Sequence, residues 1–179
     1  MTEEKIDAAG FVPRAVPLSV VVPLLEAGSL AEEPGLQGLW ANLLANAADP
    51  RQLAGVLPSF PVILEELTAS QARFLDEIYS GDLKLEIGKA FDLLYQSTLE
   101  AVYAEANSSG PPGEWTASDQ EEFWIAVDQL TRSQLLAVHD VTVQVRDPGL
   151  GAPEYTSQRQ YVPTHLGQSF VRACRSPVK

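Results

Sequence analysis

The stretch from Pro34 to Ala48, PGLQGLWANLLANAA, constrains the fold most, because nothing ionisable lies between Glu33 and Asp49. Charged residues make up 20% of the chain, so these 15 positions should carry about three; they carry none. Projected at about 100° per residue, Leu36, Leu39, Trp40, Leu43, Leu44 and Ala47 form one wide apolar stripe. Asn46 sits on its edge and Asn42 further round, while Gln37, Gly38, Ala41 and Ala45 hold the opposite side. Small residues there let another backbone come close. A helix over 35–48 covered on both sides is therefore expected, by its own domain or by a second subunit. Asn42 and Asn46 then need partners, since a buried amide left unpaired costs roughly 1–3 kcal/mol. Backbone groups of the next connector or of a helix end are the expected ones.

The surrounding chain reads as mainly helical. Residues 1–12 look like a flexible tail. PLSVVVPLLEAG predicts a helix from Pro17, kinked or divided at Pro23 and ended near Gly28. Asp49-Pro50 closes the neutral helix. SFPVILEEL predicts a helix capped by Ser59 with Pro61 in its first turn, and Thr68 and Gln71 form a capping-box pattern for the next. Gly81 suits its stop. A long helix is expected over 85–106, followed by the linker NSSGPPGE at 107–114. Ser118 and Glu121 form a second capping-box pattern. HDVTVQV (139–145) alternates as a strand, DPGLGAP reads as a turn, and YTSQRQYV (155–162) as an exposed partner strand. PTHLGQSFVRAC closes the chain as a helix capped by Thr164. The fold class is α+β, mainly α with a small β-hairpin. It comprises a helical domain over 13–106 and a winged-helix-like subdomain over 115–176 packed on those helices.

Twelve Lys and Arg stand against 24 Asp and Glu, a net charge of −12. Such a surface repels phosphate backbones and anionic membranes. The helix that would read DNA in a winged helix, residues 119–138, carries Asp119, Glu121, Glu122 and Asp128 against Arg132, a net of −3. The hairpin and last helix, residues 139–179, hold a mild excess of +2, with Arg146, Arg159, Arg172, Arg175 and Lys179 against Asp140, Asp147 and Glu154. Nucleic acid is not an expected partner, and no segment is apolar for long enough to span a bilayer. One cysteine, Cys174, excludes an intrachain disulfide. With an acidic N-terminus, it points to the cytoplasm.

No catalytic constellation is legible. His139 and His165 lack metal-ligand spacing, and the adjacent carboxylates Glu32-Glu33, Glu65-Glu66, Asp76-Glu77 and Glu121-Glu122 diverge by about 100° on a helix. No serine has GxSxG surroundings and no phosphate-binding glycine loop occurs. Neither cofactor nor metal is expected, and Cys174 reads as buried and inert. Trp40 and Trp124 are expected in the core, with Trp115 the tryptophan to be exposed.

Three segments carry a resemblance. Trp40-Ala41-Asn42-Leu43-Leu44-Ala45-Asn46-Ala47, then Pro58-Ser59-Phe60, then Thr164-His165-Leu166-Gly167-Gln168-Ser169-Phe170 resemble the bacterial abortive-infection alpha family, over about residues 15–80 and 130–175. The chain departs from that pattern at Leu57, where the family often has histidine. It departs again at Ser133-Gln134-Leu135-Leu136, where a Leu-Gly-Leu turn is usual. The resemblance implies a bacterial or phage-associated protein linked by name to phage defence. It makes Trp40, Ala41, Asn42, Ala45, Asn46, Pro58, Ser59, Phe60, Thr164, Gly167 and Phe170 the family-motif residues open to an interaction role. The expectation is a non-enzymatic protein that acts by contact with a protein partner or as a homo-oligomer, including a homodimer built on the 35–48 helix. A transcription regulator using the wing and an enzymatic effector are the alternatives.

Overall fold

Helix α3, Pro34–Ala48, is the neutral segment and fills the place its composition demands. Trp40, Ala41, Asn42, Leu43, Ala45, Asn46, Ala47 and Ala48 are all buried. The computed structural model describes residues 2–52, 55–80, 94–145 and 154–177. They form two compact units, one of residues 1–76 with 168–179, the other of residues 77–167. The units are not successive stretches of chain on either side of 107–114, because the C-terminal residues return to the first one.

In the first unit, α1 (Thr2–Ala9) and α2 (Leu18–Leu30) both pack on α3. Residues 2–9 are thus helix and not tail, with Ala9 buried. Glu, Lys and Ala favour helix, but eight residues are marginal as an isolated helix, and packing on α3 supplies the rest. Helix α2 runs through Pro23 without dividing. Gly28 does not end α2 but lies inside it, where an added Cβ would come within 3.4 Å of the Trp40 ring. Its missing side chain lets α2 approach α3. Helix α4 (Ser59–Glu66) has Pro58 as its cap residue, so Ser59 is its first helical residue and not its cap. Helix α5 (Ala69–Ser80) begins with the expected capping box: Thr68 Oγ1 accepts from the Gln71 N–H at 3.2 Å, and Gln71 Oε1 from the Thr68 N–H at 3.0 Å.

The last helix, α8 (His165–Cys174), ends against α3. A helix leaves its final carbonyls without intrahelical donors. Asn46 Nδ2 donates to Ala173 O at 2.8 Å and to Arg175 O at 2.7 Å, and Asn42 Nδ2 donates to Cys174 O at 2.7 Å. Four residues apart on α3, the two amides lie on one face and cap α8 from the side. Their oxygens are used as well: Ser176 Oγ is 3.3 Å from Asn42 Oδ1, and Gln52 Nε2 is 3.4 Å from Asn46 Oδ1.

Helix α3 is itself capped by arginine. The Arg14 N–H donates to Ala48 O at 2.8 Å and Arg14 Nε to Ala47 O at 3.4 Å, placing a cation where the helix dipole is negative. Asp49, which follows the helix, has the wrong sign for that place. Its buried carboxylate is neutralised by Arg51, through Nε at 2.9 Å and Nη2 at 2.8 Å, and accepts the Arg51 N–H at 2.8 Å. The same guanidinium stacks on Phe11, 4.9 Å from the ring centre.

In the second unit, β1 (Leu94–Tyr95), β3 (Glu154–Pro163) and β2 (Leu136–Val145) form an antiparallel sheet in the order β1-β3-β2. Val138 lies opposite Tyr161 and His139 opposite Gln160. Residues 94–95, expected as helix, are strand, and α6 begins only at Gln96 and ends at Asn107. The rest of the expected 85–106 helix, the Gly81 stop and the DPGLGAP turn lie outside the described residues. Helix α7 (Ala117–Arg132) starts with a capping box two residues earlier than Ser118 and Glu121 would place it. The Thr116 side chain accepts from the Asp119 N–H at 3.2 Å, and Asp119 Oδ2 accepts from the Thr116 N–H at 2.8 Å. Trp115 is half-buried, not exposed. Its Nε1 donates to Gly110 O at 2.7 Å and its ring lies 5.4 Å from Phe123 and 5.8 Å from Tyr103. Trp40 is buried as expected, whereas Trp124 is only half-buried. Gln160 and Tyr161 are buried, while residues 156–159 of β3 are exposed.

Two outcomes follow. Asn46→Ala should lower the free energy of unfolding by roughly 1–3 kcal/mol, the cost of two carbonyls left unpaired. Urea denaturation checks this, and an unchanged midpoint would show that α8 is not held there. Hydrogen bonds from Arg51 hold the Asp49 carboxyl below its ordinary range. A carboxyl depressed on folding stabilises above its unfolded pKa and loses that contribution as pH falls through the folded value. Asp49→Asn should therefore cost roughly 1–2 kcal/mol at neutral pH. Parallel thermal melts of the two proteins should converge as pH drops below about 4. A gap that persists in acid would remove Arg51 as the cause.

Candidate interaction surface

The motif residues that bear the resemblance serve mostly as scaffold. Trp40 lies under α2, Ala41 and Ala45 are buried, and Asn42 and Asn46 hold the end of α8. Ala45 is fully covered within the unit, while Ala41, 7% exposed, lines the groove between α2 and α3. Phe60 and Phe170 meet edge to face, with centroids 5.4 Å apart and planes at 87°. Pro58 and Ser59 are exposed at the start of α4. These residues all belong to the first unit.

Thr164 and Gly167 belong to the second unit and share a turn with Tyr79. Thr164 Oγ1 accepts the Gly167 N–H at 2.9 Å, as a helix cap, and is 2.6 Å from Gln134 O, to which it donates. The Tyr79 hydroxyl donates to Leu135 O at 2.7 Å and accepts the Thr164 N–H at 2.9 Å. Any side chain on Gly167 would run into that hydroxyl and into the Leu135 carbonyl, 2.6 Å from the Cβ position. Glycine is required there by close approach. Tyr79 had no sequence signal of its own; only the turn it ties together marks it.

Among the described residues, the outer side of α2 groups several exposed apolar side chains. Val20 and Leu24 face inward, while Leu18, Val22 and Leu25 are 76%, 44% and 57% exposed. Their spacing of four and three residues puts them, with Ser29, on one stripe. Glu26 is the single charge in the helix. Beside the stripe, Leu25, Gly28 and Ser29 of α2 and Gln37, Trp40 and Leu44 of α3 line a groove of about 340 Å³. A second groove in the same unit, of about 360 Å³, runs between Gly35, Leu39 and Ala72 and is closed at one side by Asp76 and Arg175. Arg175 Nη2 lies 2.8 Å from Asp76 Oδ1, which ties up the carboxylate.

Cys174 is buried, and both that burial and the nearby Asp76 charge push its thiol well above the ordinary range, so it stays protonated. Burial likewise raises the Tyr79 phenol. His139 is exposed on β2 and His165 is exposed at the first position of α8. Among the described residues, no group of three or more His, Cys, Asp or Glu side chains could hold a metal ion. No helix among them is long and apolar enough to cross a membrane.

No curated protein and no solved structure matches the chain. The family model described as abortive infection alpha matches residues 1–174 of the 179, nearly the whole chain, including both units and every motif residue named above. The chain belongs to the abortive infection alpha family.

Proposed function

We propose that this protein works by protein–protein contact in an abortive-infection response to phage, in the cytoplasm and without a catalytic step of its own. The observation that carries the reading is the outer side of α2, where Leu18, Val22 and Leu25 lie open to solvent on a helix whose only charge is Glu26. A helix apolar all round belongs in an interior, and a neighbour that covers the open side removes the cost of exposing it. The family name supplies the setting. A protein partner is favoured over nucleic acid because α7 turns Glu121, Glu122 and Asp128 to solvent, where phosphates would be repelled.

The test is phage challenge of a bacterial host that carries the native gene. Leu18→Glu and Leu25→Glu, each at an exposed position, should abolish protection while the purified variants keep wild-type helicity and melting temperature. Full protection by both folded variants would refute a contact role for α2. Loss of protection in Asp76→Ala alone, together with turnover of any substrate, would replace the reading with an enzymatic one.

A further inference from the structure

We propose that the partner seated on α2 is a second copy of this chain, with the two α2 helices antiparallel about a two-fold axis at Val22. The inference rests on the reading of α2 as a contact face and names its occupant. A two-fold interface needs a surface that complements itself, and α2 has one. Leu18, a side chain 76% exposed, projects four residues before Val22. The groove between α2 and α3 opens at Leu25, Gly28 and Ser29, three to seven residues after Val22. A rotation about an axis through Val22 exchanges positions 18 and 26. It therefore brings Leu18 of each copy to the other's groove mouth, between Leu25 and Ser29. Projection and recess occur once per chain at matching distances from the axis, so each contact is made twice.

The charges agree with this pairing. Helix α2 begins at Pro17 with no side-chain cap and no acidic residue in its first turn. The N–H groups of Leu18 and Ser19 lack intrahelical acceptors there, and the end carries the positive pole of the helix. The same rotation places Glu26 of one copy beside that end of the other. The two Glu26 side chains stand eight residues apart along the pair, about 12 Å. That exceeds the screening length of about 8 Å at physiological salt. Repulsion between the two Glu26 carboxylates is therefore largely screened.

Sedimentation velocity of the full chain over a range of concentrations reads the association directly. Wild type should pass from one chain to two as concentration rises. Val22→Glu, which sets two carboxylates on the axis, should stay at one chain with an unchanged melting curve. Val22→Cys keeps the test valid if the glutamate variant misfolds. On the axis, it should form an intermolecular disulfide under mild oxidation, faster than Ile125→Cys at an exposed site on α7 and free of interference from the buried Cys174. A wild type that remains one chain throughout, a dimer that survives Val22→Glu, or cross-linking of Val22→Cys no faster than Ile125→Cys would each overturn the pairing. If wild type is monomeric while Leu18→Glu still abolishes phage protection, the second copy is excluded and a different protein partner on α2 remains. If wild type dimerises through Val22 but protection is insensitive to both α2 variants, the pairing stands and the contact role in defence falls.

Discussion

Two asparagine side chains on a helix without charges bind the C-terminal segment into the unit formed by the first 76 residues. Asn42 and Asn46 donate to the last carbonyls of α8, groups that would otherwise be buried without partners at the end of that helix. The contact spans 127 to 132 residues of sequence. Together with the Phe60–Phe170 and Asp76–Arg175 contacts, it joins residues 168–179 to the N-terminal unit. Amides suit this task because they stay neutral when buried and offer two donors and an acceptor at once. Leucines in their place would fill the space and leave the carbonyls unpaired. The neutral composition of residues 40–48 follows from the same need, since a charge on the buried part of the helix would have to be desolvated.

Once α3 is committed to the interior, the surface available for recognition lies elsewhere. The strongest motif of the chain is a scaffold, and the open apolar side belongs to α2, which carries Val20 and Leu24 inward on α3 and Leu18, Val22 and Leu25 outward. Gly28 lets the two helices come together, and that close approach leaves the groove alongside. One helix thus carries both a packed side and an open apolar side. A substitution at Val20 or Leu24 should read as instability, and one at Leu18 or Leu25 as altered association. The capping groups that follow α3, Arg14 and the Asp49–Arg51 pair, hold the other end of the same scaffold.

Helix positions were largely legible because their signals are local. The neutral run, Pro61 in a first turn, the Thr68–Gln71 box and the alternation at 139–145 all concern residues within four places of each other. Errors arose where two local signals competed. Ser118 and Glu121 satisfy the capping pattern as well as Thr116 and Asp119 do, and neighbouring geometry favours the latter. The N-terminal helix is hard to read from sequence because eight residues are too few to hold a helix alone, and docking on α3 supplies the stability. Gly28 resembled a helix stop because glycine is common there; its reason is a tryptophan 12 residues on.

Local order along the chain sufficed to show that residues 35–48 would be covered, that their amides would need backbone partners, and that an acidic, mostly helical protein would result. It could not say which backbone those amides would meet, because hydrogen bonds across 127 or more residues leave no mark in the spacing of nearby side chains. Nor could it distinguish the buried side of α2 from the open one. Both sides are leucine and valine, and the hydrophobic effect drives either into contact with equal strength. Only the tertiary placement of α2 against α3 and α4 decides which side is buried and which stays open to solvent.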